Sequence, residues 1–171
     1  MGLAIPIETS ARHIHLCRED FEILFGEGKE LTFKSELSQP GQFACEERLE
    51  VRGPKGAFER VAVLGPFRGE TQVEISMTDS RKLGIPGMIR QSGDTAGTPG
   101  CTLVGPCGSV ELDHGVIVAK RHIHITPKDA DKTIEVVPTF FHSESGVEDE
   151  KATVAVAPAL SFEKQKATLT L

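Results

Sequence analysis

No tryptophan or tyrosine occurs in the 171 residues, and no stretch of about 20 apolar residues occurs either. The second absence argues against a membrane-spanning helix. A basic head followed by an apolar run is missing from the N-terminus, so no secretory signal is read there. Pro6 stands where a myristoylation signal wants Ser or Thr. Positive charge is also in deficit: 19 Lys and Arg face 25 Asp and Glu, for a net charge of -6. That balance disfavours a nucleic-acid binder, which carries a basic face, but leaves room for a local basic pocket. The four cysteines, Cys17, Cys45, Cys101 and Cys107, show no Cys-x-x-Cys spacing. They are expected to be free, buried thiols in a reducing compartment, with a disulfide or a nucleophilic cysteine as the lesser alternatives. Neither a Walker A sequence nor a dinucleotide-binding glycine fingerprint is present.

What remains is a globular composition, 39% hydrophobic and 26% charged, enough for one ordinary domain or two small ones. With 17 Gly and 10 Pro spread along the chain, the rhythm is that of many short strands and tight turns. Strands are expected at 11–16, 31–35, 45–52, 58–64, 70–76, 101–104, 108–112 and 116–121. Three more are expected in the alternating C-terminal segment. Residues 17–26 read as a short helix. Glu19 and Asp20 suit its first turn, Phe21, Leu24 and Phe25 form an apolar face, and Gly26 can end it. A helical turn is expected at 78–83 and a second short helix after Thr126, with Pro127 at its first position. Residues 89–101 form a polar, Gly-rich loop.

An internal repeat organises the chain. Arg12-His13-Ile14-His15-Leu16 is followed by Asp20, and Arg121-His122-Ile123-His124-Ile125 is followed by Asp129 in the same register. The repeat reads as duplication of a small β unit. The expected fold is therefore mainly β: two small β-barrel domains with a few short helices. The boundary falls near residue 85 (1–85 and 86–171), and the C-terminal strands are able to return to the first domain. Exposed strand edges leave room for a homodimer.

The repeat also carries chemistry. Side chains at i and i+2 of a strand share a face, so His13 with His15 can clamp one ion and His122 with His124 another. Imidazole suits zinc and other borderline first-row metals, and a catalytic zinc site uses three protein ligands with one position open. Glu74 is the choice for the third ligand of the first site. Gln72 shares its face on the 70–76 strand. For the second site His142 is the candidate, because His114 sits in an Asp-His-Gly turn expected to be exposed. Arg68, presented from a turn, can grip a phosphate with its guanidinium fork. The loop from Arg90 through Ser92 to Gly100 offers a hydroxyl and backbone N–H groups to an anion.

At these residues the sequence resembles the phosphate propanoyltransferase family of phosphotransacylases. The likeness runs from about residue 8 to about residue 130, through SARHIHL (10–16), LSQPGQFACEE (37–47), VLGPFRGETQVEIS (63–76), SGDTAGTPG (92–100) and GVIVAKRHIHITPKDA (115–130). The resemblance implies two β-barrel domains and two zinc ions in one active site. It also implies interconversion of acyl-CoA (propanoyl- or acetyl-CoA) and phosphate with acyl phosphate and coenzyme A. By the same resemblance His13, His15 and Glu74 look like ligands of one zinc and His122 and His124 like ligands of the other. Arg68 looks like the catalytic arginine, Ser92 matches a phosphate contact, and Ser10 and Lys34 lie near the coenzyme A position. From Thr133 onward the chain leaves the family's pattern and lacks its terminal histidine. No N-terminal microcompartment-targeting extension is seen, so free cytoplasm is expected ahead of a microcompartment lumen. Two rival readings keep the metal and change the rest: a zinc-dependent hydrolase of thioesters or related substrates, and a non-catalytic metal-binding or shell-associated module.

Overall fold

A computed structural model describes residues 11–39, 41–120, 122–125 and 167–170. The chain divides into two compact units, Glu8–Lys120 on one hand and Met1–Ile7 with Arg121–Leu171 on the other. The fold is mainly β, as the turn-rich sequence predicts.

In the larger unit the elements run β1 (His13–His15), α1 (Arg18–Phe25), β2 (Phe33–Glu36), β3 (Phe43–Arg52), β4 (Ala57–Gly65), β5 (Gln72–Glu74), α2 (Met77–Leu83), β6 (Ile89–Arg90), β7 (Cys101–Val104), β8 (Ser109–Leu112) and β9 (Val116–Ala119). All nine strands join one curled sheet in the order β6-β9-β5-β1-β4-β3-β7-β8, with β2 paired to β3. Thus β1 lies between β4, to which it is parallel, and β5, to which it is antiparallel. The sheet runs past residue 85, because β9 pairs with β5 in parallel and β7 with β3 in antiparallel.

The core is one apolar cluster: Ile14, Leu49, Val63, Val73, Leu103 and Val116 are each at most 1% exposed. Alternation along β1 decides what else is placed. Ile14 goes into the core, so His13 and His15 go to the opposite face. The helix α1 forms where expected. Cys17 Sγ caps the backbone N–H of Asp20, Glu19 and Asp20 occupy the first turn, Phe21, Leu24 and Phe25 are buried, and Gly26 ends the helix with a φ of 109°. Phe21 stacks on Phe25 with ring centroids 4.9 Å apart and meets Phe67 edge-on at 5.1 Å.

The expected turn at 78–83 is a full helix, α2, because Ser76 and Asp79 form a capping box that starts it one residue earlier, at Met77. The cysteines are free, but only Cys45 and Cys101 are buried; Cys17 is half-buried and Cys107 exposed. Cys17 is spent on the helix cap, and Cys107 lies in the Gly105-to-Gly108 turn, where no core reaches it. Among the described residues no helix is long and apolar enough to cross a membrane. In the smaller unit, β10 (His122–Ile125) pairs antiparallel with β11 (Ala167–Thr170), setting His122 opposite Thr170 and His124 opposite Thr168.

Candidate metal and anion site

Register brings the site together. In the β1–β5 ladder His13 faces Glu74 and His15 faces Gln72, so four polar side chains leave the same face of two adjacent strands. One ligand atom from each of His13, His15 and Glu74 lies within 4.8 Å of the others. His13 Nε2 is 3.5 Å from Glu74 Oε2, and His15 Nε2 is 4.0 Å from Glu74 Oε1. His15 and Glu74 are buried and His13 nearly so.

Arg68 enters from the turn after β4. Its backbone N–H donates to the Leu16 carbonyl at 2.9 Å, which ties the turn to the end of β1. The neighbouring Phe67 is held between Phe21 and the guanidinium of Arg18, whose carbon lies 4.3 Å from the ring centroid. The guanidinium of Arg68 spans two partners: Nη2 donates to His15 Nε2 at 2.9 Å and Nη1 to Ser92 Oγ at 3.0 Å. Ser92 in turn donates to Glu74 Oε1 at 2.8 Å and accepts from Gln72 Nε2 at 3.0 Å. Its single proton and both lone pairs are therefore used within the protein.

Charge follows geometry. Burial first, then the positive charge of Arg68, pushes the His15 imidazole well below its ordinary value, so the ring is neutral and its Nε2 accepts. Burial opposes charge on Glu74, but hydrogen bonds and charge from His13, with Ser92 adding a bond, hold the carboxylate well below its usual range. Burial alone would lower His13; the Glu74 carboxylate overrides it and raises the imidazole. Burial lowers the Arg68 guanidinium, with Glu74 acting against that shift.

The donor set fits a cation. His13 Nδ1 donates to the Ala11 carbonyl at 2.8 Å, which fixes the tautomer and points the Nε2 lone pair at the carboxylate. Two lone pairs so close are repulsive unless a proton or a metal ion lies between them. Two imidazole nitrogens and one carboxylate are the ligand types of an open catalytic zinc site. His15 Nδ1 is buried and forms no hydrogen bond of ordinary geometry, although the Leu64 carbonyl acts on the ring.

The other residues singled out from the sequence fall as follows. Lys34 lies on the exposed β2, its Nζ 3.7 Å from Glu46, and the network described above does not include it. His122 and His124 lie on β10. The side chain of His124, and Ser10 and His142 entirely, lie outside the described residues. His114 is in the expected turn but is not simply solvated: its Nε2 is 2.6 Å from Glu70, and Nδ1 bonds Asp113. Sequence reasoning missed the role of Gln72, although its place on the Glu74 face of β5 was the available signal.

A profile of the family described as phosphate propanoyltransferase matches residues 6–139. A phosphate propanoyltransferase of Enterococcus faecalis is 58% identical over 124 residues, covering 72% of this chain and 59% of its own. One from Clostridioides difficile is 58% identical over 128 residues (75% and 61%), and one from Thermotoga maritima 58% over 127 residues (74% and 60%). This chain thus spans about three fifths of the length of these relatives. A match across most of the chain, through both the β1 histidines and the Arg68 turn, has one meaning: the chain belongs to the phosphate propanoyltransferase family.

Proposed function

We propose that this chain is a phosphate acyltransferase that interconverts a short acyl-CoA and phosphate with acyl phosphate and coenzyme A. The single observation that carries the reading is the joining of Arg68, through His15 and Ser92, to the His13–His15–Glu74 donor cluster. An anion grip beside a cation site is what transfer to inorganic phosphate requires, whereas a hydrolase needs only the second. The names of the relatives point the same way.

Zinc held by His13, His15 and Glu74 would supply Lewis acidity and a counter-charge for a leaving thiolate. The remaining work belongs to side chains. When His15 Nε2 serves as ligand, the Nη2 donor of Arg68 is free for a phosphate oxygen, and Nη1 stays anchored on Ser92. Contact between Ser92 and phosphate would exchange one of the bonds its hydroxyl now makes. Phosphate oxygen attacks the thioester carbonyl, the C–S bond breaks, and coenzyme A leaves as thiolate. Arg68 balances charge on the phosphate as the carbonyl oxygen becomes anionic. No covalent enzyme intermediate is needed.

The reading extends to a second zinc held by His122 and His124 of β10, with His142 as the candidate third ligand. Ser10 and Lys34 would lie toward coenzyme A. The test is phosphate-dependent release of coenzyme A from propanoyl- and acetyl-CoA, assayed alongside metal counting. Release in step with acyl phosphate supports the proposal; release that is independent of phosphate would replace it with the hydrolase.

A further inference from the structure

Gln72 is 1% exposed and lies between two things the proposed chemistry needs, the Glu74 carboxylate and the turn that carries Ser92. Its Nε2 donates to Glu74 Oε1 at 2.7 Å and to Ser92 Oγ at 3.0 Å, and its Oε1 accepts from the Gly93 backbone N–H at 2.6 Å. The direction of each bond is forced. An ionised carboxylate only accepts and a backbone N–H only donates, so the carboxamide has one orientation that satisfies both. The hydroxyl of Ser92 must then donate to Glu74, because Arg68 and Gln72 both donate to it.

A consequence follows for Glu74. Its Oε1 accepts two hydrogen bonds, from Gln72 and Ser92, while Oε2 is the oxygen 3.5 Å from His13 Nε2. The carboxylate is therefore held from one side and presents the other oxygen to the histidine. We propose that Gln72 is a positioning residue: it makes Glu74 a one-oxygen metal ligand and locks the Ser92–Gly93 turn, with the Arg68 anchor, to that ligand. This deepens the proposed function and rests on it for the metal. Partners that orient a ligand in this way are commonly worth 10- to 100-fold in metal affinity or activity.

The test compares the parent chain with Gln72→Met, which keeps bulk and removes all three bonds. Zinc affinity is read by competition with a chromophoric chelator, and the Gly93 amide by hydrogen exchange. Expected are zinc binding weaker by at least about tenfold and Gly93 exchange faster by at least about threefold. Val51→Ala, a core change away from the cluster, is the control for destabilisation and leaves both readouts at parent values. Gln72→Asn keeps the carboxamide but shortens its reach, and it decides the question with the same expected losses where the methionine variant fails to fold. Unchanged zinc affinity or unchanged Gly93 protection in the folded variant overturns the proposal. A parent chain that binds no zinc overturns the proposed metal site itself, and the ligand-orienting role falls with it. A parent that binds zinc no better than the folded variant sinks this inference alone.

Discussion

Arg68 donates from Nη2 to His15 Nε2 at 2.9 Å, so the most strongly cationic side chain of the site rests on the lone pair that a metal ion would share. One guanidinium thus links cation binding to anion binding. Removing it should spare the ligands and remove the anion grip. Arg68→Ala is expected to lower turnover by at least about 100-fold, the scale of losing one preorganised charge donor, with zinc content unchanged. Arg68→Lys should recover little, since a point charge cannot hold Ser92 and a phosphate oxygen together. Parallel steady-state kinetics and metal analysis check both; near-parent turnover in the alanine variant removes Arg68 from the reaction.

Glu74→Gln tests the cluster from the other side. The change keeps size and deletes the charge that raises His13. Zinc affinity is expected to fall by more than the roughly 10- to 100-fold typical of losing a ligand's supporting partner. In the parent, zinc at 100 times its dissociation constant should add about 2.7 kcal/mol of stability. Chelation should therefore lower the melting temperature of the parent by more than that of Glu74→Gln, in which the first site is already weakened. An equal response of the two proteins to chelator would show that Glu74 is not a ligand.

Much of this site is written in local pattern. The period-2 placement of His13 and His15 against Ile14, and of Gln72 and Glu74 against Val73, shows in six residues which side chains share a face. The helix α1 is equally plain, because Asp20, the Phe21–Leu24–Phe25 stripe and Gly26 all agree. What local pattern does not contain is pairing. That β1 lies parallel to β4 and antiparallel to β5 is a contact between distant segments, and only this register sets His13 against Glu74. The role of Gln72 was legible only in part: its face is local pattern, but its meaning depends on the backbone N–H of Gly93, which a loop brings back from 21 positions away. Lys34 shows the converse, a residue whose charge is drawn to its cross-strand neighbour Glu46.

His114 offers a prediction in pH. Its ring is flanked by Glu70 and Asp113, and bonds to these two, Glu70 first, raise it above the ordinary value of 6.5. Glu70 is lowered by its bonds to Thr95 and then His114, and Asp113 by His114. The raised imidazole contributes stability that is complete below 6.5 and is lost as pH rises through its folded value. The lowered carboxylates contribute above their ordinary values of 4.5 and 3.8, and lose that contribution as pH falls. Both effects are therefore present together only in weakly acidic solution, and exposure keeps them small. By NMR, the His114 midpoint should lie above 6.5 and move down in Glu70→Gln. A midpoint that ignores this substitution would show that the pair does not form in solution.

Asp79 serves two elements at once. Its carboxylate accepts from the Ser76 backbone N–H to close the capping box of α2, and it receives Arg12 through both Nε at 3.2 Å and Nη2 at 2.9 Å. Arg12 immediately precedes His13, and its guanidinium carbon lies 4.0 Å from the Phe58 ring centroid. The start of β1 is thus pinned to the start of α2. Ser76→Ala removes one cap bond and should cost about 1 kcal/mol. Asp79→Ala removes the other cap bond and also leaves Arg12 without its carboxylate, so it should cost more, about 2–3 kcal/mol. Denaturant unfolding of the two variants measures the difference. Equal losses would mean that the Arg12 bond adds nothing to stability and that β1 is held in place by its sheet neighbours alone.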